Sequence, residues 1–159
     1  MADWLAVHQW LNENNVLVRP YWDEDMGHII VRISYRNLGT ERVTVMAVRD
    51  PPDYHGNRNE YFIWSVLDSS RDISADVIIR VAYDLGLDCR DLLARSGVFA
   101  TAAELQKWMD LVSRARKEIG FDLTPLTDVL EIDGEQVQQL VEYQDELHSR
   151  VEDLAGEGA

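Results

Sequence analysis

The chain is poor in the residues that hold a fold together covalently or through a metal, since its 159 residues include a single cysteine, Cys89. One cysteine excludes an internal disulfide framework and a structural zinc site built from several thiolates, so the fold must depend on packing. No apolar run approaches the roughly 20 residues of a membrane span, and no secretory signal pattern is present. We therefore expect a cytoplasmic protein.

Positive charge is also scarce. The chain has 29 acidic and 15 basic residues, a net charge of −14, and only two lysines, Lys107 and Lys117. The acidity is concentrated at the end, because residues 121–159 contain 11 acidic residues and one arginine. DNA, RNA and anionic membranes are bound through lysine and arginine, so direct binding to any of them is disfavoured. The favoured partner is a basic protein or a nucleic-acid-binding protein.

Hydrophobic residues make up 46% of the chain, which together with its length is typical of one globular domain. Alternating apolar residues predict strands at residues 16–22, 28–36, 42–48 and 61–67. Pro20 places the first strand at a sheet edge, because proline cannot donate to the ladder. A glycine-containing turn at residues 37–41 predicts an antiparallel hairpin, and residues 50–60 are rich in turn formers and predict an exposed loop.

Helical periodicity governs the rest of the chain. An N-terminal helix is predicted over residues 3–14, and further helices follow from residue 74. Thr101 and Glu104 form a capping box, Pro125 suits a helix start, and Asp133 begins a last helix to about residue 155. These elements predict a single α+β domain over 1–159. It comprises a helix plus a four-stranded antiparallel meander (1–72), helices (73–120), an acidic C-terminal helical segment (121–155) and a flexible tail (156–159).

On a heptad, the last helix has an apolar seam on one side. The seam consists of Val137, Leu140, Gln144, Leu147, Val151 and Leu154. It has fewer heptads than a free coiled coil needs, so it either docks on its own domain or joins two copies in a homodimer. In a homodimer, Gln144 is the polar residue that fixes the register.

The other side of this helix is covered by carboxylates, and we call it the acidic face. Its members are Glu135, Glu142, Asp145, Glu146, Glu152 and Asp153. Such a face either keeps the protein soluble or binds an arginine- and lysine-rich surface. In the second case the protein is a non-enzymatic binding module: an inhibitor that mimics nucleic-acid phosphates, or a small dimeric chaperone or adaptor.

The loop over residues 50–60 is the second candidate contact surface, because long loops often bind partners and aromatic and arginine side chains are favoured there. Its contact residues are Tyr54, His55, Arg58 and the adjoining Tyr61. The alternative class is a small enzyme in which His55 acts as general base with Asp50 or Asp53.

Motifs for metals and cofactors are missing from the sequence. Residues 129–140 resemble an EF-hand loop but have Val129 and Leu140 where carboxylates are required. The four histidines lack ligand spacing, and no glycine-rich phosphate loop occurs. We expect neither a metal nor a cofactor, and we expect Cys89 to be structural because no histidine partner can be identified for it.

Overall fold

A computed structural model describes residues 9–10, 12–23, 27–49, 75–88, 90–96 and 99–157. Within these ranges the chain forms a three-stranded antiparallel sheet in the order β1-β2-β3. The strands are β1 (Val16–Asp23), β2 (His28–Asn37) and β3 (Thr40–Arg49). The helices are α1 (Ala75–Leu85), α2 (Arg90–Ser96), α3 (Ala102–Ile119), the single turn α4 (Thr124–Thr127) and the long α5 (Gly134–Glu157). The predicted mixture of helices and antiparallel strands is confirmed.

The β2–β3 hairpin is tighter than the sequence predicts. Asn37 pairs with Thr40, so the turn contains only Leu38 and Gly39. Both have positive φ, 52° and 81°, as a two-residue turn of type I′ requires. Glycine adopts this conformation readily, whereas leucine does so at an energetic cost.

Two predicted elements fall largely or wholly on residues that the structure does not describe. The predicted fourth strand, 61–67, lies outside the described residues, as does most of the predicted helix over 3–14. A fourth strand of a simple meander would pair with β3. At Ala47 the outward backbone groups of β3 are instead bonded to the side chain of Gln144.

The alternation in β2 predicts one apolar and one mostly polar face, and the structure buries the first face and only part of the second, where Arg32 and Ser34 are half-buried and Arg36 is exposed. Ile29, Val31 and Ile33 pack in a core with α1, α3 and the second half of α5. On the other face, Ile30 packs in a second core with α4 and the first half of α5. The part of the second face next to β3 is covered because α5 crosses the edge of the sheet there and contributes to both cores, whereas Leu17 and Arg19 of β1 are exposed.

The helix ends agree with the capping residues of the sequence. The Glu104 N–H donates to Thr101 Oγ1 at 3.1 Å, and α3 ends at Gly120 with φ 64°. At the start of α5, the Gln136 N–H donates to Asp133 Oδ1 at 2.8 Å and the Asp133 N–H donates to Gln136 Oε1 at 3.0 Å. This reciprocal pair is a capping box, and it fixes where the acidic helix begins.

Candidate functional site

The seam of α5 packs within its own chain. Val137, Leu140 and Leu147 have no exposed surface, and Val151 and Leu154 are nearly as buried. The first half of the seam lies in the second core and the last three apolar residues lie in the first. The seam therefore docks on its own domain and offers no apolar stripe to another copy. The homodimer stays a prediction, and it requires a different surface.

Gln144 has a different role from the one that a coiled coil would give it. Its Oε1 accepts from the Ala47 N–H at 2.7 Å, and its Nε2 donates to the Ala47 carbonyl at 2.8 Å. The bonds are buried, and they satisfy both outward backbone groups of one residue on β3. The amide thus occupies a place on the sheet edge that a neighbouring strand would take, and it fixes α5 against the sheet.

All six carboxylates of the acidic face are exposed. Successive residues of a helix are about 100° apart, so the side chains of Glu135, Glu142, Glu146 and Asp153 fall within an arc of about 40°. We call these four residues the acidic stripe. It extends for about 27 Å along the axis at 1.5 Å per residue. Glu157 continues the same line and is also exposed, so it belongs to this surface although the sequence analysis did not include it.

Asp145 and Glu152 lie to one side of the stripe, next to His148. The His148 ring contacts two carboxylates, since Nδ1 is 3.2 Å from Asp76 Oδ2 and Nε2 is 3.0 Å from Glu152 Oε1. Burial alone lowers the pKa of His148. The hydrogen bond to Asp76 and the negative charges of Asp76, Glu152 and Asp145 outweigh that effect and raise the pKa above its usual value. Glu152 is therefore partly engaged within the fold, whereas Asp145 acts on His148 only through its charge.

The acidic stripe has little counter-charge. Arg150 lies near it on the helix, but its Nε donates to Glu118 Oε2 on α3 at 2.6 Å. Glu142 accepts a hydrogen bond from the neutral Gln138 at 3.1 Å. Within the described ranges, no lysine, arginine or histidine nitrogen lies within 4 Å of the stripe carboxylates. The stripe is thus a line of solvated negative charge on a rigid support.

A buried ionic cluster, which the sequence analysis missed, lies on the opposite side of α5 from this surface. Arg80 of α1 is fully buried, and its Nη1 donates to Asp84 Oδ2 at 3.1 Å and to Thr44 Oγ1 at 3.2 Å. Its Nη2 donates to the Val45 carbonyl at 3.1 Å. The signal in the sequence was an arginine and an aspartate four residues apart in a largely apolar helix, a spacing that also occurs on solvated helix faces.

The second candidate surface lies outside the residues that the structure describes. Tyr54, His55, Arg58 and Tyr61 lie outside the described residues, as do Asp50 and Asp53, the two aspartates of the enzyme alternative. Cys89 is likewise outside them. The contact surface and the enzyme alternative both stay predictions from sequence.

Three further observations bear on the site. No cluster of three or more potential metal-ligating side chains occurs among the residues that the structure describes. In the same residues, no helix has the length and apolar character needed to cross a membrane. Comparison with known protein families, curated proteins and solved structures finds no match. The acidic face is therefore the feature of the described residues from which a function can be inferred.

Proposed function

We propose that this protein is a non-enzymatic binding module whose acidic face engages a basic surface of a partner protein. The observation that carries the proposal is the acidic stripe: four exposed carboxylates along one line of a helix whose opposite side is buried. Solvation alone needs no such alignment. A line of like charges fits a partner that presents arginine and lysine side chains along a groove.

Rigid presentation strengthens this proposal. The capping box fixes the start of α5, the seam is buried, and Gln144 ties the middle of the helix to β3. A surface that is already ordered loses little conformational freedom when it binds. Charge–charge attraction across such a surface raises the association rate and weakens as salt screens it.

Two specific forms of the proposal follow from the sequence. In one, the carboxylates mimic nucleic-acid phosphates and the protein inhibits a nucleic-acid-binding protein in the cytoplasm. In the other, the protein is a small dimeric chaperone or adaptor. The burial of the seam supports the first form, because a dimer built on that seam would have to release it from the core.

The test compares two variants of equal net charge. The stripe variant carries Glu135→Gln, Glu142→Gln, Glu146→Gln and Asp153→Asn. The control variant carries Glu41→Gln, Asp110→Asn, Asp128→Asn and Glu131→Gln, four exposed carboxylates outside α5. Each protein is immobilised, exposed to native host lysate at low salt and eluted with a salt gradient.

Basic or nucleic-acid-binding proteins should be retained by the wild type and by the control variant, and lost from the stripe variant. Phosphate mimicry further requires that the retained protein releases its nucleic acid when this protein is added. Equal retention by the two variants, or retention of no protein by the wild type, would overturn the proposal.

A further inference from the structure

A small cavity of about 160 Å³ opens where α1, α3 and α5 meet, beside the buried Arg80 cluster. Its lining residues are Asp84, Arg116, Lys117, Phe121, Leu123 and Tyr143. A site needs about 10–15 Å³ of such volume to hold one water molecule, so this solvent-open cavity has room for a small anion. The Phe121 and Tyr143 rings stack 4.4 Å apart and form an apolar wall.

Positive side chains outnumber negative ones in the lining of this cavity, whereas the protein as a whole has a net charge of −14. Asp84 is the only carboxylate among the described residues that line the cavity, and both of its oxygens are already bonded. Oδ2 accepts from Arg80 and from the Thr44 hydroxyl, and Oδ1 accepts from Arg116 Nη2. Asp84 therefore balances one of the two arginines, and Lys117 at the rim has no ion-pair partner among the described residues.

The arginine side chains are fixed in place. The guanidinium of Arg80 lies 5.6 Å from the centre of the Tyr143 ring, and that of Arg116 lies 5.3 Å from the centre of the Tyr83 ring. The Nε atoms of both arginines are buried and have no hydrogen-bond partner among the described residues. Arg80 is fully buried and does not line the cavity, whereas Arg116 lines it and its side chain is 30% exposed, so a bound anion would contact Arg116 and not Arg80.

The helix dipoles reduce the positive charge at the cavity. The cavity lies at the C-terminal ends of α1 and α3, and each end carries about half a negative charge. Backbone N–H groups already cap these ends, because the Leu87 N–H donates to the Ala82 carbonyl and the Gly120 N–H donates to the Arg116 carbonyl. The cations without a balancing carboxylate are one of the two arginines and Lys117. The two helix ends together offset about one of these charges, so about one positive charge remains at the cavity.

We propose that this cavity binds a small oxyanion, the carboxylate or phosphate group of a small molecule. Arg116 and Lys117 supply the attraction, and the rings of Phe121 and Tyr143 cover the apolar part of the ligand. The site is independent of the acidic face and would operate in the same protein whether or not a basic partner binds there.

The test exploits the fact that the chain has only two lysines. Inorganic phosphate and propionate are titrated separately into the isotopically labelled protein at constant ionic strength, with chloride as reference, and amide signals are followed by NMR. The variant Lys117→Gln removes the lysine at the rim of the cavity. The control Lys107→Gln removes an exposed lysine that lies ten residues earlier on the same helix, α3, and does not line the cavity.

Phosphate or propionate should shift the signals of residues 116–123 and Tyr143 in a saturable way, and the tighter of the two identifies the source of the oxyanion. The variant Lys117→Gln should weaken binding about fivefold, and Lys107→Gln should leave it unchanged. Absence of saturable shifts with both anions would overturn the proposal. So would equal binding by the two variants, which would mean that Lys117 only stabilises the end of α3.

Discussion

The side chain of Gln144 covers an edge position of the sheet by bonding the backbone of Ala47. An edge strand exposes unpaired backbone groups, and natural sheets cover them to avoid pairing with other chains. Here a helix side chain covers one such position with two buried hydrogen bonds. Replacing the amide leaves a buried donor and a buried acceptor unsatisfied, which is expensive in free energy.

We therefore predict that Gln144→Ala lowers the free energy of unfolding by about 2 to 4 kcal/mol, from two unsatisfied groups. Gln139→Ala, on the exposed side of the same helix, should change it by less than about 0.5 kcal/mol. Urea denaturation followed by circular dichroism measures both values. Similar losses in the two variants would show that the bonds to Ala47 contribute little.

Leu38 is a residue whose replacement should stabilise the protein. It is 96% exposed and has a φ of 52°, so it gains nothing from burial and carries the cost of a left-handed conformation. Asparagine tolerates this conformation, and Asn-Gly is favoured in turns of type I′. We predict that Leu38→Asn raises the free energy of unfolding by about 0.5 to 1 kcal/mol.

The matched control for this prediction is Leu130→Asn, because Leu130 is also highly exposed but has no positive φ. Thermal unfolding should show a higher Tm for Leu38→Asn and no gain for Leu130→Asn. An equal gain in both variants would attribute the effect to lost surface hydrophobicity and not to the turn.

At the scale of elements, His148 connects α5 to α1 through Asp76. Its pKa in the folded protein is raised above 6.5, so the folded state holds the proton more tightly than the unfolded chain does. The resulting stabilisation is fully present below about pH 6.5 and is lost as the pH rises through the folded pKa. The contact is therefore stronger in mild acid.

We predict that His148→Gln lowers the free energy of unfolding relative to wild type, and that this loss is larger at about pH 6 than at about pH 8. Other titrating groups are common to both proteins, so their contributions cancel in the difference. Ser149→Ala, at the next exposed position of α5, should show the same difference from wild type at both values. A difference for His148→Gln that grew with pH would contradict the raised pKa.

Element boundaries were largely predictable because their signals are local. The capping residues Thr101 and Asp133 and the alternation in β2 each act within a few positions, and the structure has helices and a strand there. What covers an apolar face is not a local property. The seam of α5 indicates burial, but periodicity does not distinguish a partner helix from the chain's own sheet.

The buried polar residues were unpredictable for the same reason. Gln144 resembles the polar position of a coiled coil, and its actual acceptor and donor at Ala47 are 97 positions away in the chain. In the sequence, Arg80 resembles a solvated arginine. Its burial follows from the packing of α1 on β3, where it donates to Thr44 and to the Val45 carbonyl. The exposure of the acidic face, in contrast, follows directly from the periodicity of α5.

At the scale of the whole molecule, a net charge of −14 creates a long-range field, and residues 121–159, with 11 acidic residues and one arginine, contribute most of it. Such a field attracts basic partners and repels nucleic acid. The cavity beside Arg116 is a local exception, since it opens to solvent but has two cationic side chains and one carboxylate among its lining residues. We therefore propose two separate surfaces, an exposed acidic one that binds a macromolecule and a small cationic one that binds an anion.

The most direct test of the acidic face is the salt dependence of binding to the partner retained in the capture experiment. The dissociation constant is measured by calorimetry over a range of salt concentrations for wild type, the stripe variant and the control variant. Wild type and control should show the same steep weakening with salt, and the stripe variant should bind weakly with a shallow dependence. Equal slopes and affinities for the stripe and control variants would contradict the account.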